Sequence, residues 1–286
     1  MQMKLVSSAR CMTGEGPIWN PFEQKLYHVN ALDKNEIHIL DVATGECQIR
    51  QLPFGVAAIG FSKEGRMLIS CEDGAFYLNA DNTREALYDV SKYEISYGND
   101  AKVGPDGRFY IGTISKKRKR VGNEIDGKLY SIDQNGEVKV LLDGLLLSNG
   151  LEWSMDEKRF YHTDSDTSII KEYTFNKEKG AIDFTGRFIE IPGVDGFTIG
   201  QNDMLYVACW GYSHIAVVDT RDFAVKEYIE VPTKNPASCG FAGKDLEQLI
   251  VVTSMLGSDL NEDCNAGLTY GCKLGTKGRT PFLFGI

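Results

Sequence analysis

A polar turn followed by an apolar or aromatic pair recurs six times along this chain, as EQKLYHVN, EGRMLISC, DGRFYIGT, DEKRFYHT, NDMLYVAC and LEQLIVVT. The second residue of each pair is Tyr27, Leu68, Tyr110, Tyr161, Tyr206 and Ile250, at successive separations of 41, 42, 51, 45 and 44 residues. A self-similarity of that period is the spacing of a propeller blade. Alternating segments closed by turn-forming clusters follow the pair, as in NEIHILDVATGE, GKLYSIDQNGE and SHIAVVDTRD, and long amphipathic helical patterns are absent. A four-stranded antiparallel unit repeated six times closes radially and protects its edges. The chain therefore reads as all-β, a six-bladed β-propeller with four-stranded antiparallel blades. Each blade buries its faces against its neighbours and the last must close on the first, so residues 1–286 read as a single domain.

Composition narrows what such a ring could bind. The formal charge of −9 argues against nucleic acid or an anionic membrane surface as partner, since both call for a basic surface. The one basic run, KKRKR from Lys116 to Arg120, lies between two strand-like segments and reads as a solvated loop, with a gate over a site as the alternative. The N-terminal stretch lacks the apolar core of a signal peptide and no apolar run is long enough to cross a bilayer, so a cytoplasmic location is expected. Seven cysteines without a C-x-x-C pair point to reduced thiols that fill the core rather than to a disulfide framework. No segment singles out a protein partner.

Counting back 11 or 12 residues from each marker lands on the residue that precedes the first strand of a blade. Four of the six are oxygen-bearing: Glu15 in GEGPIW, Asn99 in GNDAKV, Asn149 in SNGLEW and Asp195 in VDGFTI. The second and sixth blades carry the small or apolar GVAAIGF and SCGFAG instead. In a propeller the first strands line the channel and run the same way, so these four side chains should meet at one mouth. Any one of them alone reads as turn chemistry, because Asn, Asp and Gly are turn residues in any β protein; four at matching blade positions read as a site. Two carboxylates around a narrow axis repel unless one is protonated or a cation lies between them. Hard oxygen donors without Cys or His suit Ca2+, Mg2+ or Mn2+, and Zn2+ stays open because carboxylates also bind it. His28, His38, His162 and His214 show no paired ligand spacing and read as surface or satisfied core histidines. No G-x-S-x-G elbow and no phosphate loop is present, which sets aside nucleophilic triads and nucleotide binding.

The segments EGPIW (Glu15 to Trp19), NDAKVGPDGRFYIGT (Asn99 to Thr113), SNGLEWSMD (Ser148 to Asp156), DGFTIGQNDMLYVACW (Asp195 to Trp210) and ASCGFAG (Ala237 to Gly243) carry a resemblance, in order and spacing, to the SMP-30/gluconolactonase family that includes regucalcin. The resemblance runs essentially from end to end. It implies a six-bladed propeller that binds one divalent cation at the axial mouth and hydrolyses sugar lactones and related esters. It also implies Glu15, Asn149 and Asp195 as metal ligands and Asn99 as a metal-proximal residue that contacts substrate. Tyr97 stands where animal members place an Arg that helps hold the sugar, so Tyr97 is expected at the substrate and the pocket is expected to accept simpler or more apolar lactones. VDG replaces the more usual PDG, Gly200 replaces an Asp, and Glu152 stands where Asp is common. None of these departures removes a metal ligand.

The chemistry expected of such a site is hydrolysis of a small cyclic ester, with the cation polarising the carbonyl and Asp195 as general base. Two other readings stay open at this point: a non-catalytic metal-binding regulatory propeller, since fold does not fix function, and a metal-dependent phosphotriesterase or arylesterase.

Overall fold

The computed structural model describes residues 2–31 and 34–285, and its strands form six four-stranded antiparallel sheets arranged as a six-bladed β-propeller. The chain opens with β1 (Lys4–Ser7), which belongs to the last blade. Blade 1 then consists of β2 (Thr13–Asn20), β3 (Lys25–Ala31), β4 (Glu36–Leu40) and β5 (Cys47–Gln51). Blade 2 follows with β6 (Ala58–Phe61), β7 (Met67–Cys71), β8 (Gly74–Leu78) and β9 (Arg84–Ala86). Blade 3 is β10 (Gly98–Val103), β11 (Phe109–Thr113), β12 (Gly127–Ile132) and β13 (Val138–Leu145). Blade 4 is β14 (Ser148–Trp153), β15 (Arg159–Asp164), β16 (Ile169–Asn176) and β17 (Ala181–Glu190). Blade 5 is β18 (Val194–Ile199), β19 (Met204–Cys209), β20 (His214–Asp219) and β21 (Ala224–Glu230). Blade 6 is β22 (Pro236–Ala242), β23 (Gln248–Thr253), β24 (Thr269–Lys273) and, on its outer edge, β1.

The six repeat markers fall on β3, β7, β11, β15, β19 and β23, the second strand of every blade, and all six are buried. A second strand is covered on both faces by the adjoining blades. It is therefore buried along nearly its whole length, as in FYIGT and QLIVVT, whereas an outer strand such as AIDFTGRFIE alternates with solvent. The polar turn before the pair has its own reason. Tyr27 donates its phenol to Glu23 at 2.7 Å, Tyr110 donates to Asp106 at 2.9 Å, and Tyr206 accepts from Asn202 at 3.2 Å, in each case from four residues earlier. Leaving a buried hydroxyl without its partner costs about 1–3 kcal/mol, so turn and tyrosine recur together.

Two chain ends complete the ring. β1 pairs with β24 through Lys4↔Gly271 and Leu5↔Tyr270, so the first and last segments of the chain are hydrogen-bonded into one blade. The C-terminal segment after β24 then crosses the end of the channel at which the inner strands finish. Gln201 N donates to Lys277 O at 2.7 Å, Arg279 donates to the carbonyls of Trp153 and Ser154 at 3.0 Å, and Phe284 N donates to Phe61 O at 2.9 Å. Phe282 packs edge-on against Trp153 and under the Arg279 guanidinium. The channel is thus sealed below and entered from the opposite mouth. Among the described residues no helix is long and apolar enough to cross a membrane.

Candidate active site

Glu15, Asn99, Asn149 and Asp195 all line one open cavity of about 450 Å3 at the channel mouth. Each lies inside its inner strand rather than before it, because the strand pairing continues past the site. In β2, β10, β14 and β18 the register slips at that point, between Glu15 and Ile18, Gly98 and Ala101, Asn149 and Leu151, and Val194 and Phe197. A bulge re-aims a side chain out of the strict alternation, and here it sets four polar side chains toward the axis. Of the two blades with small or apolar residues at the equivalent place, β6 of blade 2 pairs without a slip while β22 of blade 6 slips between Pro236 and Ser238, so the bulge belongs to the inner strand and the residue type decides what it presents. The inner strands also approach closely. A Cβ on Gly150 would collide with the Phe197 ring, and one on Gly196 with Ser238, which explains glycine beside the site residues.

The amides have fixed orientations. Asn149 Nδ2 donates to Asp195 Oδ1, and Asn99 Nδ2 donates to Ser148 O at 3.0 Å. Both amide oxygens are left without a donor among the described residues. Neither Glu15 nor Asp195 has a basic partner there. Burial, with Asp195 and Asp100 nearby, holds the Glu15 carboxyl well above its ordinary value. Burial and Asp100 do the same to Asp195, against the Asn149 hydrogen bond. Asp100 itself is pushed up to about 6, by burial before anything else. Two carboxylates and two free amide oxygens without a protein cation form a hard-donor set that fits a divalent ion.

Residues that sequence reasoning did not single out complete the mouth. Trp210, Leu256, Leu147, Val194 and Ile114 supply an apolar wall, and Thr13, Ser165 and Asp166 add polar edges. Arg118 and Lys119 of the basic run also line the cavity, so the run is part of the wall rather than a solvated loop alone. Arg118 pairs with Asp166 at 3.1 Å, and Lys116 N donates to Asp126 at 2.8 Å. Tyr97 is not among the lining residues. Its ring lies 5.7 Å from Lys119 Nζ, behind the lysine that reaches the cavity. Ser148 and His162 touch at 2.8 Å, but both are fully buried away from the cavity and form a structural pair.

Below the mouth the channel narrows to a space of about 70 Å3 lined by Asp100, Lys102, Glu152, Phe197 and Arg279. Here the carboxylate is matched. Glu152 accepts from Lys102 Nζ at 3.0 Å and from Arg279 at 2.5 Å. Burial works to raise its pKa, but the two cations outweigh it and hold it below the usual range. The only hint of this in the sequence was Glu152 standing where Asp is common; its partners are 50 and 127 residues away.

A six-bladed propeller with an axial mouth of hard oxygen donors is the class that this fold and site define. The SMP-30/Gluconolactonase/LRE-like region matches residues 13–255, and the chain belongs to that family. YvrE of Bacillus subtilis, a candidate sugar lactone lactonase, is 31% identical to it over 99% of both chains. The pentonolactonase XacC of Haloferax volcanii is 26% identical over 89% of this chain and 86% of its own. Regucalcin of Gallus gallus is 27% identical over 99% and 98%. Among solved structures, the calcium-binding protein regucalcin from Agrobacterium tumefaciens superimposes with a TM-score of 0.88 at 23% identity, covering 100% of this chain and 98% of its own, a likeness of fold.

Proposed function

We propose that the protein is a divalent-cation-dependent lactonase acting on small sugar lactones. The observation that carries this reading is the convergence of Glu15 and Asp195, two carboxylates without a protein cation, beside the free amide oxygens of Asn99 and Asn149 in an open cavity. Its volume of about 450 Å3 is that of a small-molecule site. Relatives named as lactonases of sugar-type substrates supply the substrate class.

Glu15, Asn149 and Asp195 would hold the cation, with Asn99 beside it. When bound, the cation polarises the lactone carbonyl and stabilises the oxyanion that develops on its oxygen. Asp195 is the base. Its Oδ1 accepts from Asn149, which leaves Oδ2 to take a proton from water. The water oxygen then bonds to the carbonyl carbon, the ring C–O bond breaks, and the departing oxygen receives the proton from Asp195. Burial and Asp100 raise the affinity of Asp195 for a proton, which a carboxylate that accepts one from water requires. Asn99 orients the carbonyl or a hydroxyl of the substrate, and the Trp210 and Leu256 wall takes the C–H faces of the ring and keeps bulk water out. Lys119, which lines the cavity with its Nζ 5.7 Å from the Tyr97 ring, would meet the substrate in place of Tyr97.

A hydrolysis panel of sugar lactones, aryl esters and phosphotriesters, run with added divalent cation, tests the substrate class. Sugar lactones should give the highest kcat/KM. Phosphotriesters leading, or cation binding without turnover of any of the three, would overturn it.

A further inference from the structure

Sequence spacing gave His28 and His38 no role, yet the structure brings them together with Cys11. Their strands pair in register, His28 of β3 opposite His38 of β4, with ring centroids 4.8 Å apart. Cys11 lies on the connection from β1 to β2, and its Sγ is 3.7 Å from His38 Nδ1. All three side chains are buried, with one ligand atom from each within 4.8 Å of the others. His28 Nε2 is buried without any hydrogen-bond partner. A fully enclosed imidazole nitrogen normally finds one, so Nε2 is a ligand position the protein leaves unused.

We propose that Cys11, His28 and His38 form a second metal site, selective for a thiophilic d10 ion of the Zn2+ type and distinct from the oxygen-donor mouth. The protons are placed for it. His28 Nδ1 lies 3.4 Å from Val29 O, which assigns the ring proton there and leaves the Nε2 lone pair free. His38 Nε2 lies 3.3 Å from Glu36 Oε2, which leaves the Nδ1 lone pair facing Cys11. A carboxylate behind a ligating histidine is the usual support of a zinc site. Asn30 holds that carboxylate in turn, donating from Nδ2 to Glu36 at 2.6 Å while its Oδ1 accepts from Met12 N, next to Cys11, at 2.7 Å. The spacing also fits: sulfur and nitrogen bound tetrahedrally at about 2.3 and about 2.1 Å lie about 3.6 Å apart.

The position gives the site a purpose. Cys11 N donates to Gly267 O of blade 6 at 2.8 Å, while the thiol faces two histidines of blade 1. An ion there ties the segment leaving the closing strand β1 to the first blade, at the seam where the ring is joined. Binding to the native state alone raises stability by mass action.

Co2+ is the probe, because a sulfur-to-cobalt charge-transfer band reports thiolate ligation and the mouth has no sulfur. Stripped, reduced wild-type protein titrated with Co2+ should develop that band, saturate it at one thiolate-bound ion per chain, lose it on adding Zn2+, and melt at a higher temperature with either ion, by more than Cys11→Ser does. The band should vanish in Cys11→Ser and persist in Cys264→Ser, whose thiol is exposed elsewhere. Glu36→Gln should weaken affinity by about tenfold or more. Absence of the band in the wild type, which needs no variant to fold, or its survival in Cys11→Ser, would overturn the proposal.

Discussion

Glu15 and Asp195 at the mouth and Glu152 deeper in the same channel are carboxylates recessed among inner strands, yet their surroundings differ in one respect. Glu152 has Lys102 and Arg279 against its two oxygens and is held ionised. The mouth carboxylates have each other, Asp100 and amides, and are driven toward protonation. The chain therefore matches the buried acid below the site with its own cations and leaves the acids at the mouth unmatched. Glu152 reads as architecture, tying blades 3 and 4 to the C-terminal segment that seals the channel, and the mouth reads as a place prepared for a cation from outside the chain.

The strongest way to break this contrast is at Asp195. Asp195→Asn keeps an oxygen and the hydrogen-bonding shape but cannot take a proton, so turnover should fall by about 10^2–10^4-fold while cation affinity falls less. The metal-free Asn variant should also melt above the metal-free wild type at neutral pH, because a repelling charge has gone. Single-turnover hydrolysis, calorimetric cation titration and thermal melts read the three quantities. Near-normal turnover would move the base elsewhere, with Glu15 next in line.

Glu152→Ala tests the other side. It leaves Lys102 and Arg279 facing an uncompensated space and should cost about 3 kcal/mol of stability, read by denaturant unfolding, with cation affinity at the mouth changed little. Its pH dependence has a definite sign. The folded-state pKa of Glu152 is depressed, so its contribution is present above the unfolded carboxylate value, about 4.3, and is lost as pH falls through the lower folded value. The stability gap between wild type and Glu152→Ala should therefore be widest near neutrality and close in acid.

The smallest expected effect is on selectivity. Tyr97→Arg adds a second cation behind Lys119 and should shift kcat/KM toward polyhydroxylated lactones over apolar ones by about 1–2 kcal/mol. An unchanged ratio would detach Tyr97 from the substrate.

The blades and the four mouth residues were legible because a repeat carries phase: once Tyr27, Tyr110, Tyr161 and Tyr206 mark equivalent strands, the residues 11 or 12 before them must be equivalent too. The bulges that put those residues inside their strands left no such mark, since a slip in pairing depends on the partner strand. Features made by distant pairing were equally hidden. The closing strand KLVS is four residues long and finds β24 at the far end of the chain. Arg279 meets Glu152 across 127 residues. Cys11, His28 and His38 have no motif spacing because strand register, not helix periodicity or a loop, brings them together. The Lys116 to Arg120 run reads in sequence as a solvated loop, with a gate over a site as the alternative, and the bonds of Ser115 and Lys116 to Glu124 and Asp126 hold it where Arg118 and Lys119 line the cavity.

The most direct test of the unmatched mouth is to strip the protein with chelator, verify metal content, and follow sugar-lactone hydrolysis while a divalent cation is added back. The account predicts a folded but inactive stripped protein and saturable recovery of turnover, with the cation needed for recovery failing to rescue Asp195→Ala. Full hydrolysis by the metal-free protein would contradict it.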